Sequence, residues 1–135
     1  MILDTSALLA YFDSAEPQHS AAAEIIESHP GPLVISPFVI AELDYLLLTR
    51  HGTRAEQVVL SELTSGAWEL ASMTRSRIVT ATAIVERYSD IPIGVTDASN
   101  IVLADAYQTS LIATLDHRHF SILRLMDGSP PTIVP

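Results

Sequence analysis

Short apolar runs alternate along this chain with longer segments in which apolar residues recur every three or four positions. The short runs have the length and composition of buried strands, and the longer segments have the spacing of helices with one buried face. The predicted strands cover residues 1–3, 33–35, 67–73, 111–115 and 132–134. The predicted helices cover residues 5–12, 19–28, 37–50, 54–64, 75–88 and 97–107. Strands that alternate with helices indicate an α/β fold with a mainly parallel sheet.

Polar residues at the predicted helix starts have the character of N-caps. Ser36 is followed by a proline, which is a capping hydroxyl followed by the residue favoured at the first helical position. Thr53 and Glu56 have the spacing of a capping box. Thr96 is predicted to cap the helix that has Asp97 in its first turn.

Four acidic residues occupy unusual places in this pattern. Asp4 and Asp116 come directly after, or at the end of, apolar runs, while Glu42 and Asp97 lie in early turns of predicted helices. An acid among apolar neighbours is costly to bury unless something pairs with it. Ligands of parallel α/β sheets bind beyond the carboxyl ends of the strands. We therefore expect the four acids to converge at that edge.

The composition makes a divalent cation a natural partner for these acids. With 48% hydrophobic and 17% charged residues, the 135-residue chain is predicted to form one globular domain, residues 1–135. It has seven basic residues, all arginine, and no lysine to neutralise a buried carboxylate. The absence of cysteine excludes disulfides and thiolate zinc sites. Carboxylate oxygens suit Mg²⁺ or Mn²⁺.

Hydropathy and the first residues of the chain indicate its compartment. No apolar run approaches the ~20 residues of a membrane span. The start, Met-Ile-Leu-Asp-Thr, lacks the basic segment of a signal peptide. We therefore expect a cytoplasmic protein with no membrane association.

The formal net charge of −9 bears on nucleic-acid binding. Proteins that bind long stretches of nucleic acid usually present a basic surface. Carboxylates at a metal site contribute to this charge, however, and are neutralised locally by the ion. The charge therefore argues against an extended RNA or DNA interface but is compatible with a small metal-dependent site acting on a phosphodiester.

Several polar residues flank the four acids. Thr5 and Ser6 directly follow the first acid and are candidates to orient water or phosphate. Asn100 follows the third acid by three positions, which places both on one helix face. Arg118 or His119, just after the fourth acid, could contact a phosphate.

Each acid also has an ordinary structural interpretation. Asp4 and Asp116 could cap the helices that follow them, Asp97 could complement a helix dipole, and Glu42 could point into solvent. Their joint arrangement, without lysine, is what favours a shared site.

Two alternative functions can be weighed against a metal-dependent site. An enzyme that forms an aspartyl-phosphate normally uses a lysine and, in one class, an Asp-x-Asp motif, whereas this chain reads Asp4-Thr5-Ser6. A non-catalytic interaction module, whose acids bind a basic partner, is the remaining alternative.

The residues around the four acids resemble the PIN-domain ribonucleases, and most closely the VapC toxins of bacterial toxin–antitoxin pairs. The resemblance extends over essentially the whole chain. Its anchors are ILDTSALLAYF, SPFVIAELDYLL, GVTDASNIVLA and LIATLDHRHF, and each anchor contains one of the four acids.

This resemblance implies a three-layer α/β/α fold and an endoribonuclease that depends on Mg²⁺ or Mn²⁺. It implies that Asp4 and Asp97 hold the metal, that Asp116 joins them, and that Glu42 completes the catalytic site. It further implies a homodimer and a cognate VapB-type antitoxin that blocks the acidic site, often with a basic residue.

Overall fold

The first strand of the chain lies at the centre of a sheet of five parallel strands. The computed structural model describes residues 1–135. The strands are β1 (Ile2–Leu3), β2 (Val34–Ile35), β3 (Glu69–Leu70), β4 (Leu111–Ala113) and β5 (Thr132–Val134). Their order across the sheet is β3-β2-β1-β4-β5, and every neighbouring pair is parallel. The prediction of a mainly parallel sheet is confirmed.

Seven helices cover the two faces of this sheet. They are α1 (Thr5–Phe12), α2 (His19–Ser28), α3 (Pro37–His51), α4 (Thr53–Leu63), α5 (Arg75–Arg87), α6 (Val95–Ala106) and α7 (His117–Phe120). Buried residues of α1 to α4 form one core, and buried residues of α5, α6 and α7 form the other. The fold is therefore a three-layer α/β/α arrangement.

The two cores follow from the alternation of side chains along each strand. In β1, Ile2 belongs to the core under α5 and α6, and Leu3 belongs to the core under α1 to α4. The same alternation separates Val34 from Ile35 in β2. Because both faces are covered, the central strands read as short continuous apolar runs.

The strand order places a switch of direction beside β1. The chain builds β2 and β3 on one side of β1 and then crosses to build β4 and β5 on the other side. In sheets of this kind, the crevice at the carboxyl edge of the switch point is the usual ligand site. Asp4 follows β1 at this point, and its backbone N–H donates to the Ala113 carbonyl of β4 at 2.9 Å.

Two of the predicted helix caps are wrong. α6 begins at Val95 with Gly94 at the N-cap, so Thr96 already lies within the helix. The physical reason is that the Asp97 carboxylate accepts from the Gly94 N–H at 3.3 Å, which ties Gly94 to the first turn and starts the helix before Thr96. α4 likewise starts at Thr53, one residue after Gly52, which has a φ of +84° and separates α3 from α4.

The predicted cap at Ser36 is confirmed, and it also joins two helices. The Ser36 hydroxyl accepts from the Phe38 N–H at 3.2 Å and lies 2.7 Å from the Ser99 hydroxyl. Ser99 Oγ itself donates to the Thr96 carbonyl at 2.7 Å. The Ser36 hydroxyl hydrogen is therefore left to be donated to Ser99. This buried pair connects the start of α3 with the first turns of α6.

No helix of the structure is both long enough and apolar enough to span a membrane.

We predict that Ser36→Ala lowers the melting temperature, because it removes the α3 cap and leaves the buried Ser99 hydroxyl without its donor. The expected loss is about 1–2 kcal/mol, or a few degrees. Differential scanning calorimetry measures it, with Ser61→Ala on the exposed side of α4 as the control. Equal melting temperatures for the two variants would contradict this role of Ser36.

Candidate active site

The four acids expected to converge do line a single cavity at the carboxyl edge of the sheet. The cavity has a volume of about 310 Å³, and its lining includes Asp4, Glu42, Asp97 and Asp116. These side chains come from the end of β1, from α3, from α6 and from the turn after β4. Four separate elements therefore bring carboxylates to one place.

The carboxylate of Asp4 is buried and is held by hydrogen bonds from three directions. Asn100 Nδ2, from α6, donates to Oδ1 at 3.0 Å. Thr114 Oγ1, from the end of β4, and Ser6 Oγ, from α1, each donate to Oδ2 at 2.8 Å. The Ser6 backbone N–H completes the set at 3.4 Å. These donors fix the orientation of Asp4 and leave it little freedom to turn.

The same hydroxyls also hold the segment that carries the fourth acid. Ser6 Oγ accepts from the backbone N–H of Leu115 at 2.9 Å. Thr114 Oγ1 accepts from the backbone N–H of Asp116 at 3.0 Å. The positions of Asp4 and Asp116 are therefore coupled through two small polar side chains.

Asp97 and Asp116 share a histidine. His119 Nδ1 lies 3.0 Å from Oδ2 of Asp97 and 3.0 Å from Oδ2 of Asp116. The other ring nitrogen of His119 is buried and has no hydrogen-bond partner. The imidazole therefore lies directly between two of the acids, where it offsets part of their repulsion.

Burial and mutual repulsion make part of this cluster easier to protonate. Burial raises the pKa of Asp97 to about 6, with the Asp4 charge as the next cause. The Gly94 N–H and His119 oppose this rise. Burial also raises the pKa of Asp4, against the hydrogen bonds that it accepts. The site therefore has more negative charge than its surroundings neutralise.

Helix capping and membership of the site coincide for two of the acids. Asp4 is the N-cap of α1, and Asp116 is the N-cap of α7, where it accepts from the His119 N–H at 3.1 Å. The structural interpretation of these two residues is correct, yet both carboxylates also line the cavity. Capping fixes their backbone and so helps to aim them.

Glu42 lies at the rim of the cavity and is exposed. Its Oε2 accepts from Thr5 Oγ1 at 2.7 Å, and Thr5 itself is buried. Because Thr5 directly follows Asp4, its hydroxyl orients Glu42 relative to Asp4.

The residues predicted to contact substrate have different positions. Thr5 and Ser6 line the cavity, but their hydroxyls hold other residues of the site. Asn100 is fully buried behind Asp4, and its Oδ1 has no partner. Arg118 is exposed and outside the cavity lining. Substrate contact by these residues stays a prediction.

The structure adds three further residues to the site, each in a role that the sequence did not predict. Thr114 supports Asp4, His119 bridges two acids, and Arg50 lines the cavity. The position of Thr114, two residues before Asp116 at a strand end, is a signal that could have indicated it.

The donor set of the cavity suits a hard divalent cation. Carboxylate oxygens are the preferred ligands of such ions, and three aspartates line the cavity. No group of three or more acidic or imidazole side chains is already arranged to hold an ion. An ion that used the Oδ2 atoms of both Asp97 and Asp116 would have to displace the His119 ring, which lies 3.0 Å from each of them.

Sequence comparison identifies the family. The profile of the PIN domain matches residues 1–124. The chain belongs to the PIN domain family. Within this family, Ribonuclease VapC26 of Mycobacterium tuberculosis (strain ATCC 25618 / H37Rv) is 56% identical over 135 residues, which is 100% of both proteins. The predicted relationship to VapC proteins is confirmed.

Solved structures agree with a PIN domain fold. VapC20 of Mycobacterium tuberculosis, a sarcin–ricin loop cleaving toxin, superposes with a TM-score of 0.80 at 20% identity, over 87% of this chain and 90% of that one. A toxin–antitoxin complex from Klebsiella pneumoniae gives a TM-score of 0.68 at 17% identity, over 99% and 95%. At these identities the similarity supports the fold alone.

We predict that Asp97→Asn stabilises the metal-free protein at pH 7.5. The Asp97 pKa is raised on folding from near 4 to about 6, so the folded state binds more protons between these values. Stability present at low pH is therefore lost as the pH rises through this interval. Asparagine avoids the loss, and we expect a gain of about 3–6 °C at pH 7.5.

Thermal melts in EDTA at pH 5 and pH 7.5 measure this effect. Asp105→Asn, on the exposed side of the same helix, is the control for a simple change of net charge. The gain for Asp97→Asn should shrink at pH 5, where the wild-type carboxyl is largely protonated. A gain that is the same at both pH values, or the same for Asp105→Asn, would contradict the assigned cause.

Proposed function

We propose that this PIN-domain protein is a metal-dependent endoribonuclease and the toxin of a type II toxin–antitoxin pair. The observation that carries the proposal is the convergence of Asp4, Asp97 and Asp116 on one cavity, with an Asp97 pKa raised to about 6. The identity of 56% with a protein named as a ribonuclease supports the same activity.

In this proposal Mg²⁺ or Mn²⁺ is held by Asp4, Asp97 and Asp116. When bound, such an ion supplies an activated water and neutralises charge that develops on the phosphodiester. In our proposal Glu42, which lines the rim of the cavity, would orient the attacking water or accept its proton. Thr5 keeps Glu42 in this position through its 2.7 Å hydrogen bond.

The remaining polar residues of the site preorganise the aspartates. Asn100, Thr114 and Ser6 hold Asp4 from three sides, so that its carboxylate needs no reorganisation when the substrate arrives. His119 holds Asp97 beside Asp116 at 3.0 Å from each. In our proposal these two oxygens would be available to a cation only with the His119 ring turned away from them.

The expected partners follow from the same cluster. RNA is the proposed substrate, and a VapB-type antitoxin is the proposed inhibitor. An antitoxin with a basic side chain could enter the acidic cavity and relieve its excess charge. The resemblance of the chain to VapC toxins, which act in pairs with antitoxins, is the basis for proposing such a partner. The homodimer remains a proposal based on the resemblance to VapC toxins.

We predict that millimolar Mn²⁺ raises the melting temperature of the protein relative to EDTA, because an ion bound only by the folded state stabilises it. An ion present at about 100 times its dissociation constant contributes ~2.7 kcal/mol. Asp97→Asn should lose most of this gain, while Asp105→Asn should keep it. Identical melting temperatures of the wild-type protein in EDTA and in Mn²⁺ would contradict the proposal that the folded protein binds a divalent ion.

We also predict that Asp97→Asn and Asp116→Asn each reduce RNA cleavage by about 100-fold or more, because each removes a charged ligand worth several kcal/mol. Cleavage rates of purified variants with matched circular dichroism spectra measure the effect, with Asp105→Asn as the control. Cleavage that survives in both variants would exclude the catalytic assignment. Wild-type protein that binds a basic partner but cuts no RNA would instead indicate an interaction module.

A further inference from the structure

Arg50 is the one basic side chain among the residues that line the acidic cavity. It lies in the last turn of α3, whose residues Glu42, Leu46 and Arg50 all line the cavity at spacings of four. Such spacing puts the three side chains on one helix face. The acid at the rim and the guanidinium therefore share a helix, separated by about two turns.

Arg50 forms only a weak ion pair within the protein, so its guanidinium is available to bind a ligand. Its NH1 lies 3.9 Å from Glu16 Oε1, and its side chain is 53% exposed. A solvent-exposed ion pair at this distance is weak, since water and salt screen it. A phosphate oxygen could therefore replace Glu16 at little cost.

Arg50 is also not needed to hold the neighbouring loop. His51 Nε2 lies 3.2 Å from Asp13 Oδ2, which joins the end of α3 to the same loop independently of Arg50. The His19 ring further ties the start of α2 to the Ala10 carbonyl at 2.9 Å. Removal of the Arg50 side chain therefore leaves other links in place.

An RNA strand that reaches the aspartates meets a surface of unfavourable charge. The chain has a net charge of −9 and no lysine. Two of its other arginines are engaged with backbone carbonyls, Arg77 with Ser72 and Arg124 with residues 121–123. A guanidinium can bind a phosphate through two parallel hydrogen bonds. Arg50 is the cation placed to do this beside the cavity.

We propose that Arg50 binds a phosphate of the RNA strand next to the one that is cut, and that Glu16 is the internal anion which this phosphate displaces. The inference rests on the proposed ribonuclease function and assigns the residue that positions its substrate. Arg50 thus raises affinity and sets the register of the strand, while the aspartates carry the chemistry.

Binding without cleavage tests this assignment first. The probe is a labelled single-stranded RNA of roughly 12 nucleotides, with affinity measured by fluorescence anisotropy in the Asp97→Asn background. Arg50→Ala should weaken binding about tenfold, the value of one charged hydrogen-bonded contact. The slope of log affinity against log salt should fall by about 0.7, which corresponds to one phosphate.

Three further variants separate a specific contact from a general charge effect. Arg54→Ala removes the same charge from an exposed site on α4 outside the cavity, and it should change affinity less than twofold. Arg50→Lys should recover part of the lost affinity, because it restores the charge but not the paired geometry. Glu16→Gln should tighten binding severalfold, because it removes the competing anion.

Cleavage kinetics then separate this inference from the proposed function. On an RNA that the wild-type protein cuts, Arg50→Ala should raise KM about tenfold and leave kcat within about twofold. If the wild-type protein cuts RNA and Arg50→Ala binds and cuts like Arg54→Ala, the Arg50 assignment is overturned while the ribonuclease stands. If Asp97→Asn cuts like the wild type, the proposed site fails, and the anisotropy series alone decides on Arg50.

Discussion

The buried carboxylate of Asp4 at the end of the central strand is the constraint around which the carboxyl edge is arranged. A carboxylate can be taken from water only when hydrogen bonds replace its solvation. Asn100 on α6, Thr114 after β4 and Ser6 on α1 provide them. Each donor belongs to an element that must approach β1 closely. The hydrogen bonds that this buried charge requires therefore hold α6, which carries Asp97, and the end of β4 close to Asp4.

Although Asp4 is fully hydrogen-bonded, the cluster of carboxylates keeps an excess of negative charge. Hydrogen bonds satisfy Asp4 without neutralising it, and its charge helps to raise the pKa of Asp97. His119 offsets part of the repulsion by lying between Asp97 and Asp116. The fold thus preorganises carboxylates at the price of stability in the absence of a cation. A divalent ion, or a basic side chain from a partner protein, would stabilise the same arrangement.

The sequence predicts the meeting of the acids because apolar runs end close to Asp4 and Asp116, and a parallel sheet gathers such ends at one edge. It does not predict the bridging role of His119, since this depends on side-chain conformation and on how closely α6 and α7 pack. The cap at Thr96 is wrong because the Asp97 carboxylate accepts from the Gly94 N–H, and the helix begins before Thr96. The place of Arg50 depends on how α3 lies across the sheet edge, which hydrophobic periodicity alone does not specify.

Isothermal titration of Mn²⁺ in buffers of different ionisation enthalpy tests the central claim most directly, because it measures both affinity and released protons. If the ion binds at the aspartates, binding must deprotonate the carboxyl of Asp97, whose pKa is about 6. The wild-type protein should then release a substantial fraction of a proton per ion at pH 6 and almost none at pH 7.5. Asp97→Asn should bind far more weakly. Tight binding with no proton release at pH 6, or binding unchanged in Asp97→Asn, would contradict a cation site built on these carboxylates.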